Sequence, residues 1–109
     1  MIYELRTYWA PPGKQDQMHA RFRNLTVGLF ARHGLNMVGF WIPEPATADS
    51  GDLVYILAFH DQAALEAAWS AFRADPEWQA GKAASEAEGP IVAKLTSMIM
   101  NPTDYSPLK

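Results

Sequence analysis

The chain has no cysteine. Disulfides and thiolate metal sites are excluded, and the composition fits a reducing compartment. Histidine is scarce too, with three residues at 19, 33 and 60, no HxH motif and no i, i+4 pair. The carboxylates show no ligand spacing either, so no metal is expected. No basic cluster occurs. Nine lysines and arginines stand against 12 aspartates and glutamates, a net charge of −3, so nucleic acid is not an expected partner. The strongly apolar segments reach only about ten residues, half of the roughly 20 that span a bilayer. The first residues carry Glu4 and Arg6 in place of a signal-peptide pattern. The expected location is therefore cytoplasmic, without membrane association. GxGxxG, GxxxxGK[ST] and GxSxG are all missing, which removes the common nucleotide and hydrolase signatures.

What remains is the composition of one folded domain, residues 1–109. Hydrophobic residues make up 49% and there are four tryptophans, which argues against disorder. A chain of this size buries about two-thirds of its unfolded surface, so its core is modest.

Residues 2–9, rich in tyrosine, threonine and tryptophan, predict a strand. Pro11-Pro12-Gly13 ends it. Met18, Phe22, Leu25 and Leu29 recur at helical spacing, and Gly34 after His33 reads as a left-handed helix stop. Residues 35–43 predict a second strand, with Val38, Phe40 and Ile42 on one face and Met37, Gly39 and Trp41 on the other. "PEPATADSGD" is a loop, and the continuous apolarity of "LVYILAFH" (53–60) predicts a strand buried on both faces. Asp61 caps a helix whose buried stripe is Leu65, Trp69 and Phe72. Asp75-Pro76 starts a short one running to about residue 87. Residues 91–100 predict the last strand.

The order is β-α-β-β-α-β, the ferredoxin-like pattern. It is an α+β fold with a four-stranded antiparallel sheet and both helices on one face. The strands are apolar on both faces, so the open face needs a cover. A second copy of the chain is the simplest one, and a homodimer with a barrel-like core is expected.

"YELRTY" followed by "PPGK", then "HGLNMVGFW", "ILAFHDQAALEAAWSAFRADPEW" and "IMNPTDYSP", in this order over residues 2–107, resemble the NIPSNAP family. The resemblance implies a dimeric α+β barrel. That wider fold group includes haem-degrading and quinol-type monooxygenases, isomerases and dehalogenase-like proteins, so membership transfers no reaction. Animal members are mitochondrial and carry extra N-terminal sequence. Here Met1 leads straight into a strand, as in the short bacterial members, whose biochemical role is unassigned.

In such a barrel, Tyr3 and Leu5 suit the helix side of the first strand. Glu4, Arg6 and Tyr8 would then face the dimer interior. Arg6 could bind a carboxylate or carbonyl oxygen, with Glu4 as a base. The structural alternative is an ion pair that fixes register or the dimer contact. His60, at a strand end, is the further acid/base candidate, against a plain surface histidine. Trp41 could form an aromatic ligand wall with Tyr8. His33 is expected to cap the carbonyls of its helix, and His19 to face solvent. Trp69 and Phe72 read as core, and Trp78 as a packing anchor. No cofactor is expected, because "PPGK" lacks the amide donors a phosphate needs, and a haem would have only His60 for an axial ligand. Two functions follow. One is a site in the barrel interior for a hydrophobic, oxygenated small molecule, as binder or cofactor-free enzyme. The other is a non-catalytic homodimeric interaction module.

Overall fold

The computed structural model describes residues 1–109. β1 (Ile2–Trp9) leads through the proline turn into one helix in three pieces. These are α1 (Gln15–Arg21), a π-helical turn (Phe22–Thr26) and α2 (Val27–Arg32). The helix stops at His33, whose N–H bonds back to the Leu29 and Phe30 carbonyls. Gly34 then takes φ +79°, the left-handed stop its position predicts. β2 (Asn36–Trp41) and β3 (Leu53–Phe59) follow. α3 (Gln62–Ala74) is capped by Asp61, which accepts the Ala64 N–H at 2.8 Å. α4 (Pro76–Ser85) is capped by Asp75, which accepts the Glu77 N–H at 2.8 Å. β4 (Lys94–Met100) closes the order. It begins later than predicted, because Ile91 and Val92 are apolar for a different reason. Ile91 is buried, and Val92 packs against the core, both ahead of the strand.

The sheet runs β2-β3-β1-β4 with every neighbour antiparallel, the ferredoxin-like α+β arrangement. The core is the layer between helices and sheet. Tyr8, Phe22, Phe30 and Tyr55 meet there with ring centroids 5.4–6.5 Å apart, mostly edge to face or tilted.

The faces of β1 are the reverse of the expectation. Glu4 lies opposite Leu57 and Ile99, Arg6 opposite Tyr55 and Ser97, and Tyr8 opposite Leu53 and Leu95. This row meets the helices: Glu4 bonds Trp69 of α3, and Tyr8 packs on Phe22. Tyr3, Leu5 and Thr7 are on the open face with Val54, Ile56 and Met98. The physical reason is the α3 indole. A buried Trp N–H needs an acceptor, and Glu4 supplies it from the sheet.

Alternation in β2 also fails where predicted. A bulge between Met37 and Gly39 makes Val38 the extra residue. Phe40 stacks on Tyr55 at 4.9 Å on the helix side, while Trp41 pairs with Val54 on the open face. In the first helix, the buried stripe is Met18, Phe22, Thr26, Leu29 and Phe30, with Leu25 only partly buried. The π turn inserts a residue and rotates Thr26 and Phe30 inward. No helix is long and apolar enough to cross a membrane.

Candidate functional site

A cavity of about 450 Å³ opens between the helix face of the sheet and the helices. Phe22, Phe30, Trp69, Phe72 and Trp78 supply most of its apolar wall. Arg6, Arg21, Arg73 and Lys82 bring positive charge to the lining, against one carboxylate, Glu86. Thr26 reaches the wall because of the π turn, and its hydroxyl donates to the Arg21 carbonyl five residues back at 3.4 Å.

Arg6 is held on every side. Its Nη1 donates to Glu4 Oε2 at 2.9 Å, and Nε and Nη2 donate to the Tyr8 hydroxyl at 3.3 and 3.2 Å. The guanidinium lies over the Trp69 ring, 4.3 Å from its centroid. Burial opposes the charge, but Tyr8, Tyr55 and Glu4 outweigh it and hold Arg6 protonated. The Tyr8 and Tyr55 hydroxyls are 3.0 Å apart. Burial, reinforced by Tyr8, pushes the Tyr55 phenol well above its ordinary range.

Glu4 sits behind Arg6 and is only 3% exposed. It accepts from Trp69 Nε1 at 2.7 Å, from Ser97 Oγ at 2.5 Å and from Arg6. With three donors on two oxygens this carboxylate is an anchor for the arginine, and it does not line the cavity.

Arg21 was not singled out by its sequence context. Its Nη1 donates to Glu86 Oε2 at 2.8 Å and Ser85 Oγ at 3.1 Å, and its guanidinium lies 5.3 Å from the Trp78 ring centroid. Burial works against the Glu86 charge, yet hydrogen bonds from Arg21 and Lys82 hold that carboxyl below its ordinary range. On the sequence, Arg21 is one more charged residue off the apolar stripe. Only the approach of α4 shows that it is buried.

The structure thus brings together Glu4, Arg6 and Tyr8 and leaves out two candidates. His60 is exposed at the end of β3, and Trp41 is 51% exposed on the open face with its ring over Gly39. Neither lines the cavity. His33 does not cap its helix with its ring. Its Nε2 lies 2.6 Å from Asp75 Oδ2, and Arg32 Nη1 donates to the same oxygen at 3.0 Å, so this trio ties α2 to the α3–α4 junction. His19 is half-buried, not fully in solvent. Trp69, Phe72 and Trp78 pack as expected and also form the cavity wall. No group of three or more His, Asp or Glu side chains is placed to hold a metal. The cavity wall carries no histidine, so a haem there would lack an imidazole ligand.

The NIPSNAP family model matches residues 3–107. The chain belongs to the NIPSNAP family. Solved NIPSNAP structures share the architecture. A NIPSNAP domain protein of Burkholderia xenovorans, described as uncharacterized, superposes with a TM-score of 0.83 at 23% identity, covering 98% of this chain and 99% of that one. A NIPSNAP family protein of Agrobacterium tumefaciens gives 0.84 at 19% identity, covering 99% and 98%. More distant is an antibiotic biosynthesis monooxygenase, with a TM-score of 0.63 at 18% identity over 94% of this chain and 99% of that one. At these identities the likeness is one of fold. No curated protein sequence matches the chain. NIPSNAP membership therefore establishes the family and the fold and assigns no biochemical role, which leaves the cavity as the ground for one.

Proposed function

We propose that this NIPSNAP protein binds a hydrophobic, oxygen-bearing small molecule in the cavity between sheet and helices. The observation that carries this is a fixed, charged guanidinium at an aromatic wall: Arg6 on the Trp69 ring, anchored from behind by Glu4. Aromatic walls with a few placed polar groups are the usual make-up of small-molecule sites. Because Glu4 is consumed by its donors, the geometry supports binding and orientation better than proton transfer. Trp41 belongs instead to the open face, where it lies with Leu5, Ile56 and Met98. A second copy covering that face makes the working unit a cytoplasmic homodimer.

The four tryptophans test the binding reading directly. Trp69 and Trp78 line the cavity, and Trp9 and Trp41 do not. On titration with β-naphthol, the indole N–H resonances of Trp69 and Trp78 shift saturably while those of Trp9 and Trp41 stay in place. Equal movement of all four, or of none, rejects the site. The second reading, a non-catalytic interaction module, is favoured by the exposed Trp41, Ile42 and Met98, and it expects no saturable shift.

A further inference from the structure

Arg21 is 8% exposed, lines the cavity, and makes hydrogen bonds through Nη1 alone. Its Nε is fully buried with no partner. Buried polar groups are almost always paired, so an orphan on a guanidinium asks for an explanation. The contrast with Arg6 is direct. There Nε, Nη1 and Nη2 are all engaged. On Arg21 the unused donors, Nε and Nη2, form one edge of the planar fork. Nε is closed off by its neighbours, so Nη2 is the donor within a ligand's reach, and a guanidinium N–H to a carboxylate is a charge-assisted bond.

The surroundings agree. Arg6, Arg21, Arg73 and Lys82 line the cavity against Glu86 alone, and Glu86 is shared between Arg21 and Lys82. Trp78 lies against the Arg21 guanidinium, and Phe22 and Phe72 continue the apolar wall. We propose that the ligand of this cavity is an aromatic or similarly flat apolar carboxylate, bound through the unused Nη2 donor of Arg21. Its apolar body lies against Trp78, Phe22 and Phe72. The proposal rests on the binding reading above and adds the chemistry of the ligand's polar end.

The test compares β-naphthoate with β-acetonaphthone, a neutral molecule of nearly the same shape, by the Trp69 and Trp78 indole shifts at pH 7. Wild-type protein binds the carboxylate about tenfold more tightly or better, as expected for a charge-assisted pair in a shielded site. Arg21→Gln removes the preference and keeps ketone binding. Because Arg21→Gln also strands Glu86 and could unfold the chain, Glu86→Gln serves as the second variant. It removes the competing charge while leaving an acceptor for Nη1, so naphthoate binds several-fold more tightly and the ketone is unchanged. If both ligands bind wild type equally, or the preference survives Arg21→Gln, the carboxylate proposal is overturned while the cavity reading stands. Failure of both ligands and of β-naphthol removes the cavity reading and this proposal with it.

Discussion

Arg6→Met strands the Glu4 carboxylate. In the wild type that group is 3% exposed and takes one of its three donors from Arg6 at 2.9 Å. Breaking a buried ion pair from one side costs about 3–5 kcal/mol, because the remaining charge is left without a counter-ion. Two smaller losses are contained in that figure: the bonds from Nε and Nη2 to the Tyr8 hydroxyl, and the guanidinium's position 4.3 Å above the Trp69 ring. The donors that remain, Trp69 Nε1 and Ser97 Oγ, soften the loss without replacing the charge. We expect a net cost of about 3–5 kcal/mol, which for a domain of this size lowers Tm by roughly 12–20 °C. The control is Glu4→Gln with Arg6→Met. The amide still accepts from Trp69 and Ser97, so only the hydrogen bonds to Tyr8 and the cation–π contact are missing, and the double variant costs about 1–2 kcal/mol. Urea unfolding, followed by tryptophan fluorescence and circular dichroism at one protein concentration, gives the four corners of the cycle. A single variant within 1 kcal/mol of wild type, or a double variant as unstable as the single, refutes the description of Glu4 and Arg6 as a buried, mutually dependent pair.

Asp75 gives a pH test. Hydrogen bonding from His33, and further bonds from the Glu77 N–H and Arg32, hold its carboxyl at about 2 against an ordinary 3.8. A depressed folded-state value stabilises fully above the ordinary value and fades as pH falls toward the folded one, here from about 4 down to about 2. Asp75→Asn keeps the α4 cap but loses this charge-dependent part, so its Tm falls less steeply than wild type across that window in calorimetry; identical slopes count against the assignment. Tyr55→Phe removes one hydroxyl from the buried pair with Tyr8, and chemical denaturation shows a loss of about 1 kcal/mol, whereas an unchanged midpoint means the two hydroxyls are not bonded. Light scattering at micromolar concentration gives about twice the 12.1 kDa chain mass for wild type, and Trp41→Asp shifts it toward one; a folded wild-type monomer ends the homodimer proposal.

Element order was legible because local signals agree with tertiary demand along most of this chain. Asp61 and Asp75 cap where cap residues should, Gly34 stops a helix, and Pro11-Pro12 ends a strand. The faces of β1 were not legible, for a specific reason. Tyr3, Leu5 and Thr7 are as fit for burial as the other row, and the expectation kept Glu4 and Arg6 from the helix side as charges. What decides the matter is Trp69, 65 residues away from Glu4, whose N–H needs an acceptor. The Val38 bulge and the π turn at Phe22–Thr26 had no local signature either. Each inserts a single residue into a regular repeat, and each moves side chains that matter. Phe40 goes to the core, and Thr26 goes to the cavity wall. Arg21 was invisible for a related reason: Ser85, Glu86 and Trp78, which surround it, all come from the α4 region.

The polar groups on the helix side divide into two kinds. Glu4, Arg6, Tyr8 and Tyr55 form a chain in which each member satisfies the next, and such a network specifies one arrangement of sheet against helix. A ligand that displaced any bond in it would have to replace that bond. The Arg21 cluster is different, because its Nε is buried without a partner and its Nη2 makes no bond. A chain of 109 residues has a modest core and little stability to spare, so an unpaired buried donor of this kind is costly to keep. Structural need accounts for Glu4, which is enclosed by its donors, while Arg6 serves that need and also brings its charge to the cavity wall. That need does not account for the unused Nη2 of Arg21, which adds a second cationic handle to the wall that Arg6 and Trp69 form.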